Sequence, residues 1–229
     1  MPKARLATIR KTLLALHGEP DALVPEGPFE MILWEQVAYL ANDERRRQAF
    51  EALEKRIGLT PQDILRAKPE ILEDVAATGG SIAPGKRADR MRATAERVMS
   101  EFDGRLEQVL DLPPDKAVRA LAKFPMIGKP GAEKILLLTG THPVLALDSN
   151  AMRVLLRLGY GSEGSSYDQT YREVRAATEA QERADTDWMG TLHQLLRRHG
   201  QEVCRNKLPE CKRCPLTAKC AYHHDNVDD

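Results

Sequence analysis

The sequence predicts an all-α protein, and three observations support that fold class. Apolar residues recur at helical spacing, as at Phe29, Ile32 and Leu33, which places them on one face of a helix. Helix starts are marked by capping residues and prolines, and Thr60-Pro61 joins the two signals. The sequence shows no convincing strand pattern and no internal repeat.

The helices follow in chain order, each with its own signal. The first contains the apolar residues named above, and a second surrounds Phe50. Lys68-Pro69 then opens a helix that Gly79-Gly80 closes, because proline fits a first helical turn and glycine ends helices. The remaining predicted helices span residues 84–102, 113–124, 130–138, 149–158, 166–180 and 185–199.

The amino-acid composition limits the classes of protein to which the chain can belong. Charged residues make up 30% of the 229 and apolar residues 42%, which is ordinary usage for a soluble protein. No apolar run approaches the roughly 18 residues that a membrane span needs. The first residues also lack the apolar core of a signal peptide. We therefore expect a cytoplasmic protein that contacts no membrane.

The net charge is zero, with 34 basic and 34 acidic residues, and this balance argues against nucleic-acid binding. The distribution of charge weakens that argument. Basic residues gather at 86–92 and 205–213, whereas acidic residues gather at 19–54 and 225–229. A polar protein with one basic face fits this pattern, although charge runs are most often solvated surface.

All four cysteines fall in one loop, with gaps of six, two and five residues. Four thiolates suit either an iron–sulfur cluster or a structural zinc. Zinc sites usually show two short cysteine pairs, and here only Cys211 and Cys214 form one. The spacing therefore favours a cluster, leaves zinc as the alternative, and makes disulfides the least favoured reading in a reducing cytoplasm.

Two further stretches accompany the cysteine loop: residues 124–135, which contain a Pro-Met-Ile-Gly turn, and residues 147–154, which contain Leu147-Asp148. In order and separation the three stretches resemble the endonuclease III family of DNA glycosylases. The resemblance runs from about residue 28 to residue 222. It implies a two-domain helix-hairpin-helix glycosylase fold, with a six-helix barrel at residues 23–142 and an iron–sulfur domain formed by residues 1–22 and 143–229.

The resemblance also assigns the cysteines and the loop that holds them. It implies that a [4Fe-4S] cluster is bound by Cys204, Cys211, Cys214 and Cys220. The cluster is expected to be structural and to place the basic loop, with Lys212 and Arg213, against DNA.

The hairpin at residues 124–135 is the predicted phosphate site. Free N–H groups at a helix start attract anions, so we expect DNA contacts at Gly128, Lys129, Gly131 and Lys134. A connection without a ligand would have the same sequence pattern. Met126 stands where the family has glycine, and it lies in the same predicted contact.

Pro130 is the larger departure from the family. Bifunctional members carry at this position a lysine that attacks the sugar and forms a Schiff base. Proline supplies no amine, so this chemistry is excluded at residue 130. Lys129 is adjacent, but a shift of one residue changes direction on a helix by roughly 100°.

Two carboxylates are the candidate catalytic residues. Asp148 precedes a predicted helix, which suits a capping role, and the resemblance makes it the aspartate that stabilises the sugar cation. Glu35 matches the glutamate that protonates the base in the adenine-excising branch of the superfamily. Its apolar surroundings would favour the raised pKa of a general acid, and a solvated helix glutamate is the alternative.

Leu40 and Ile82 are the candidate wedge residues. Leu40 stands where the oxidised-pyrimidine branch has a gap-filling glutamine, and Ile82 lies in the loop that matches the second wedge. An apolar side chain can fill the space that a flipped base leaves, although such residues are more often core or loop.

We therefore expect a DNA glycosylase that acts as a monomer at the nucleoid. Its partner is double-stranded DNA with a damaged (oxidised pyrimidine) or mispaired base. Pro130 implies hydrolysis without strand cleavage. The alternatives are a DNA-structure binding protein that has lost the chemistry, a mismatch or adenine-type glycosylase that uses Glu35, and a zinc-stabilised interaction module.

Overall fold

The computed structural model describes residues 3–21 and 25–227, and within them every regular element is a helix. The prediction of an all-α fold class is therefore confirmed. No helix in these ranges combines the length and the apolar character that crossing a membrane requires. The helices are α1 (Leu6–His17), α2 (Pro28–Val37), α3 (Asp43–Arg56), α4 (Pro61–Arg66), α5 (Pro69–Thr78), α6 (Pro84–Phe102), α7 (Pro114–Leu121), α8 (Lys129–Leu138), α9 (Ser149–Arg157), α10 (Tyr167–Thr178), α11 (Thr186–Glu202) and α12 (Ala221–Val227). Short 3-10 helices lie at Leu106–Asp111, Glu179–Gln181, Cys211–Arg213 and Thr217–Lys219.

The chain divides into two compact units. The central unit is Leu23–Thr139, and the terminal unit combines Met1–Ala22 with Gly140–Asp229. The sequence placed the second boundary after residue 142, three residues later than the structure places it. The predicted boundary between residues 22 and 23 lies outside the described residues, as does the end of the acidic tail, 228–229.

The central unit is organised around α6, which packs against α2, α4 and α5. Helix α2 is apolar on most sides and buries Phe29, Ile32 and Leu33. Helix α6 is more polar and buries a narrower stripe, which includes Met91 and Val98. Each large apolar side chain that is fully buried contributes roughly 1.5–3 kcal/mol to stability.

Arg87 is buried inside the central unit, with only 1% of its surface exposed, and it links several parts of the backbone. Its guanidinium donates hydrogen bonds to the carbonyl oxygens of Val37 (2.6 Å), Ile82 (3.1 Å) and Gly80. These bonds offset the large free energy that burying a charge costs. Arg92 similarly donates to two carbonyls at the end of α4. Arg87 and Arg92, two of the basic residues at 86–92, therefore have structural roles and do not add to a basic surface.

The terminal unit is built on α11, which packs against α9 and α1. Helices α9 and α11 approach closely because residue 200 is glycine, and a Cβ there would lie 2.8 Å from the carbonyl oxygen of Asn150. Arg153 joins the two helices by donating to the carbonyl oxygens of Gly200 (2.6 Å) and Cys204 (3.0 Å). The start of α9, where Asp148 lies, is thereby fixed against α11.

Candidate functional site

Asp148 is the N-cap of α9, and its two carboxylate oxygens have different partners. Oδ1 accepts hydrogen bonds from the backbone N–H groups of Asn150 (3.0 Å) and Ala151 (2.8 Å), which satisfies two donors at the helix start. Oδ2 lies 3.3 Å from Nε of Arg197, a residue of α11. The cap fixes the carboxylate, while 25% of the Asp148 side chain stays exposed.

Tyr167, the first residue of α10, lies within electrostatic range of the same carboxylate. Partial burial raises the pKa of its phenol, and the negative charge of Asp148 raises that pKa further. The phenol therefore stays protonated at neutral pH and keeps an O–H group that can donate a hydrogen bond. We call Asp148, Arg197 and Tyr167 the aspartate site.

The hairpin joins α7 to α8 through a turn in which Phe124 and Ile127 are buried. Gly128 is the N-cap of α8, and no side chain of the described residues caps the N–H groups of its first turn. Such donors are suited to an anion. Pro130 lies in that turn, where its missing N–H removes no helical hydrogen bond. Gly131 follows it and lies over Ile127, whose Cγ2 would be 3.4 Å from an added Cβ.

Met126 has a φ of +68°, in the left-handed region that favours glycine. The side chain is 41% exposed, and its Sδ lies 3.1 Å from Nη1 of Arg90. The turn therefore keeps a backbone shape typical of glycine with a methionine in place, at a strain of roughly 1 kcal/mol. The methionine also adds a side chain beside the predicted phosphate site.

Glu35 and Lys134, for which the sequence predicted separate roles, are bonded to each other. Nζ of Lys134 lies 2.5 Å from Oε1 of Glu35, and Nη1 of Arg46 lies 3.7 Å from Oε2. Glu35 of α2 is therefore joined by ion pairs to α8 and to α3. Lys129 differs from Lys134, because its side chain is 58% exposed and lies 3.8 Å from Glu133. Lys129 is therefore the more accessible lysine of the hairpin.

The two predicted wedge residues are both exposed in the central unit. Leu40 is 78% exposed and has a φ of +50°, while Ile82 is 50% exposed and precedes Ala83, whose φ is +44°. Left-handed backbone is unfavourable for residues with a side chain. Exposed apolar residues at strained turns are consistent with a contact surface, and the wedge role stays a prediction.

The four cysteines lie after α11 and in the loop that follows it. Burial, together with the other three thiols, raises the pKa of Cys214 to about 11. Burial, followed by Cys204 and Cys211, also raises the pKa of Cys220. Nη1 of Arg157 lies 3.3 Å from Sγ of Cys204. Four neighbouring thiols fit an iron–sulfur cluster in number and kind. Within the described residues, however, no three side chains of His, Cys, Asp or Glu are arranged to hold a metal ion.

The cysteine loop exposes Lys212 and Arg213. Arg213 forms an ion pair with Glu210, which also lies 2.7 Å from Arg205. The hydrogen bond from Arg213 lowers the pKa of Glu210 and keeps its carboxylate charged. Glu210 therefore balances part of the positive charge that the sequence placed in this loop.

Comparison with known proteins decides which family the chain resembles. No protein-family model matches it. Endonuclease III of Thermotoga maritima is 24% identical over 207 residues, which cover 90% of this chain and 86% of that protein. A solved structure of a non-covalent endonuclease III–DNA complex has a TM-score of 0.76 at 19% identity, covering 98% of this chain and 97% of that one. The chain is endonuclease III-like.

A second solved structure extends the fold comparison. The structure of a thermostable thymine-DNA glycosylase has a TM-score of 0.72 at 17% identity, covering 96% of this chain and 97% of that one. The endonuclease III-like fold that the three sequence stretches implied is thus confirmed.

The fold also brings to these sites residues that the sequence pattern did not indicate. Arg197 and Tyr167 reach Asp148 through the packing of α9, α10 and α11, and Arg46 reaches Glu35 from α3. Each lies in an ordinary amphipathic helix without a distinctive motif. Their spacing in the sequence carries no signal, since only tertiary packing makes them neighbours.

Proposed function

We propose that this protein is a base-excision DNA glycosylase that hydrolyses the N-glycosidic bond of a damaged or mispaired base in double-stranded DNA. Base-excision glycosylase function is supported by the similarity to endonuclease III over most of both chains. The observation that carries the proposal is the position of the Asp148 carboxylate. A helix cap fixes one of its oxygens, and the side chain is partly exposed.

The proposed reaction needs one negative charge beside the sugar. The bond between C1′ and the base nitrogen breaks, and its electron pair leaves with the base. A fixed carboxylate stabilises the positive charge that develops on the sugar, because it needs no reorientation during the reaction. A water oxygen then bonds to C1′, and the proton that this water releases ends on the departing base.

Pro130 supports hydrolysis over strand cleavage. Lyase chemistry requires an amine that bonds covalently to the sugar carbon. The structure places a proline ring in the first turn of α8 at this position. Lys129 beside it lies 3.8 Å from Glu133, one helical turn further on. We therefore propose a monofunctional enzyme that leaves an intact abasic strand.

We propose two substrate classes for the enzyme, oxidised pyrimidines and mispaired bases. The similarity of fold to a thymine-DNA glycosylase supports the second class. A panel of duplexes, each with one defined lesion or mismatch, tests the proposal by measuring free base. Release from one class identifies the substrate. No release from any duplex, with duplex binding intact, would instead support a DNA-structure binding protein.

We further propose that a [4Fe-4S] cluster is held by Cys204, Cys211, Cys214 and Cys220 and serves to order the basic loop. The number and kind of the thiols, and their spacing within one loop, support this ligand set. Cys214→Ala should remove iron and visible absorbance, and it should unfold the terminal unit. Stoichiometric zinc without iron in anaerobically purified wild-type protein would overturn the proposal. We also propose that the protein acts as a monomer at the nucleoid in the cytoplasm.

A further inference from the structure

The hairpin contains a type II β-turn with methionine at the position that favours glycine. The N–H of Ile127 donates to the carbonyl oxygen of Phe124 (3.0 Å), which closes the turn. Pro125 is the second residue of this turn, and its ring fixes φ at about −65°. Met126 is the third residue, with a φ of +68°. Type I requires a negative φ at the third residue, and types I′ and II′ require a positive φ at the second, so the turn is type II.

Type I and type II turns differ in the direction of the middle peptide, which here joins Pro125 to Met126. This peptide is turned over between the two types, so the carbonyl of Pro125 points to opposite sides of the turn. Type I accepts most residues at its third position, whereas the left-handed backbone of type II is unfavourable for a residue with a side chain. Met126 therefore favours type I, and another contact must hold the carbonyl in the type II direction.

Gln36 of α2 supplies that contact from inside the central unit. Its Nε2 donates to the carbonyl oxygen of Pro125 (3.0 Å) and to Oγ1 of Thr94 (2.8 Å). The Thr94 hydroxyl also lies 3.3 Å from Oε1 of Gln36. A backbone carbonyl can only accept a hydrogen bond, so the amide nitrogen must face Pro125. Both side chains are 0% exposed, which leaves the amide without water as a substitute partner.

The balance of free energies favours the type II turn while Gln36 is present. Turning the peptide over would take the carbonyl of Pro125 away from a buried donor. Leaving such a donor unpaired is disfavoured by a free energy similar to or larger than that of a left-handed residue. The exposed side of the turn has a weaker contact, from Nη1 of Arg90 to Sδ of Met126 (3.1 Å), because a thioether is a poor acceptor.

We propose that Gln36 is a positioning residue, whose buried amide holds the hairpin in its type II shape despite Met126 and thereby determines affinity for duplex DNA. The turn leads directly to Gly128, the N-cap of α8, where the first-turn N–H groups are suited to a phosphate. The inference deepens the proposed function and rests on DNA contact at this hairpin.

A glycine at position 126 separates this role from a merely structural one. Glycine adopts a left-handed backbone without steric cost, so a turn with glycine needs no contact to hold it. If Gln36 holds the turn, Met126→Gly should compensate for the loss of its amide. If Gln36 only stabilises the core, Met126→Gly should have the same effect whether or not the amide is present.

The test is a double-mutant cycle of Gln36→Met and Met126→Gly, read as affinity for undamaged duplex at one salt concentration. Gln36→Met keeps the size of the side chain and removes the donor. It should weaken binding about five- to tenfold, which is within the penalty of a left-handed residue. Affinity of the double variant should return to within about twofold of Met126→Gly alone, because neighbouring residues in one network couple.

NMR of the DNA-free protein reads the turn without any binding step. The α proton of Pro125 lies closer to the amide proton of residue 126 in a type II turn than in a type I turn. The nuclear Overhauser effect between these protons should be strong in wild-type protein, weaken in Gln36→Met and return in the double variant. Gln36→Asn is a second variant, which keeps a buried amide but is one methylene too short to reach Pro125, and it should also weaken the effect.

Thr94→Val is the matched control, because it removes the other partner of the same buried amide and leaves the bond to Pro125. It should lower the thermal stability to a similar extent as Gln36→Met, since both leave a buried polar group unpaired. The proton contact in the turn should stay strong, and duplex affinity should stay within about twofold of wild type, as expected for a change that leaves the turn in place.

An unchanged proton contact in folded Gln36→Met or Gln36→Asn protein would overturn the inference, as would equal effects of Met126→Gly in the two backgrounds. A weakened contact with unchanged duplex affinity would refute the link between the turn and DNA binding. Absence of base release from every duplex would count against the proposed function alone, because neither the NMR measurement nor the affinity cycle depends on catalysis.

Discussion

Asp148 and Glu35 are both carboxylates that the sequence marks as catalytic, and the structure gives them different surroundings. Asp148 is held by backbone N–H groups at a helix start, with one arginine at its second oxygen. Glu35 is held by two cations from other helices, Lys134 and Arg46. A helix cap orients the Asp148 carboxylate through backbone N–H groups, whereas Glu35 is held by side-chain cations of two other helices. From this difference we propose that Asp148 supplies negative charge to the reaction and that Glu35 joins helices.

The largest expected effect is the loss of base release in Asp148→Asn. Asparagine keeps the cap and removes the negative charge, so the single-turnover rate should fall about 10²- to 10³-fold, as when one charge-stabilising group is removed from an active site. Duplex binding should be retained. A rate within a few-fold of wild type, in protein shown to bind duplex, would remove Asp148 from the catalytic machinery.

Glu35→Gln should have a smaller effect on rate and a measurable effect on stability. A general acid raises the rate of a reaction about 10²- to 10⁴-fold. If Glu35 joins helices and is not the general acid, the rate of base release should fall by less than about tenfold in this variant. The free energy of unfolding should fall by about 1 kcal/mol, since the pair is partly exposed and screened. Denaturant unfolding measures this change.

Asp74→Asn is the matched control for Glu35→Gln, because Asp74 is 68% exposed and lies 3.6 Å from Arg56 in the same unit. It should leave both stability and rate unchanged. A hundredfold loss of base release in Glu35→Gln would reverse the comparison and support an adenine-type mechanism.

The contrast between these carboxylates shows what a single sequence can predict. The capping position of Asp148 follows from an aspartate between an apolar run and a helix, which is a local signal. The bond from Lys134 to Glu35 joins residues 99 positions apart, and the pairing of Arg197 with Asp148 is similarly remote. Such contacts depend on how helices pack, which periodicity does not specify.

The hairpin and the cysteine loop also have some features that the sequence predicted and others that it did not. The turn at residues 125–128 was predictable from its proline and glycine, but the positive φ of Met126 was not. The spacing of the cysteines predicted their clustering. The charge of their loop was only partly predictable, because Glu210 lies in the same loop and pairs with Arg205 and Arg213.

The smallest expected effects concern phosphate contacts. Lys129→Ala and Arg213→Ala should each weaken binding to all duplexes to a similar extent and reduce the salt slope by about one unit. Lys55→Ala, at an exposed position of α3, is the control and should leave the slope unchanged. An unaltered slope for Lys129 or Arg213 would exclude that residue from phosphate contact.

The central claim is hydrolysis without an amine nucleophile. Its most direct test is whether the DNA strand stays intact after the base is released. Wild-type protein is incubated with its substrate duplex, with and without borohydride, and the strand is analysed before and after alkali. Because Pro130 supplies no amine, we expect released base, an intact abasic strand that breaks only in alkali, and no trapped protein–DNA adduct. Efficient borohydride trapping, with strand cleavage before alkali, would contradict the account and place the nucleophile on Lys129 or another lysine.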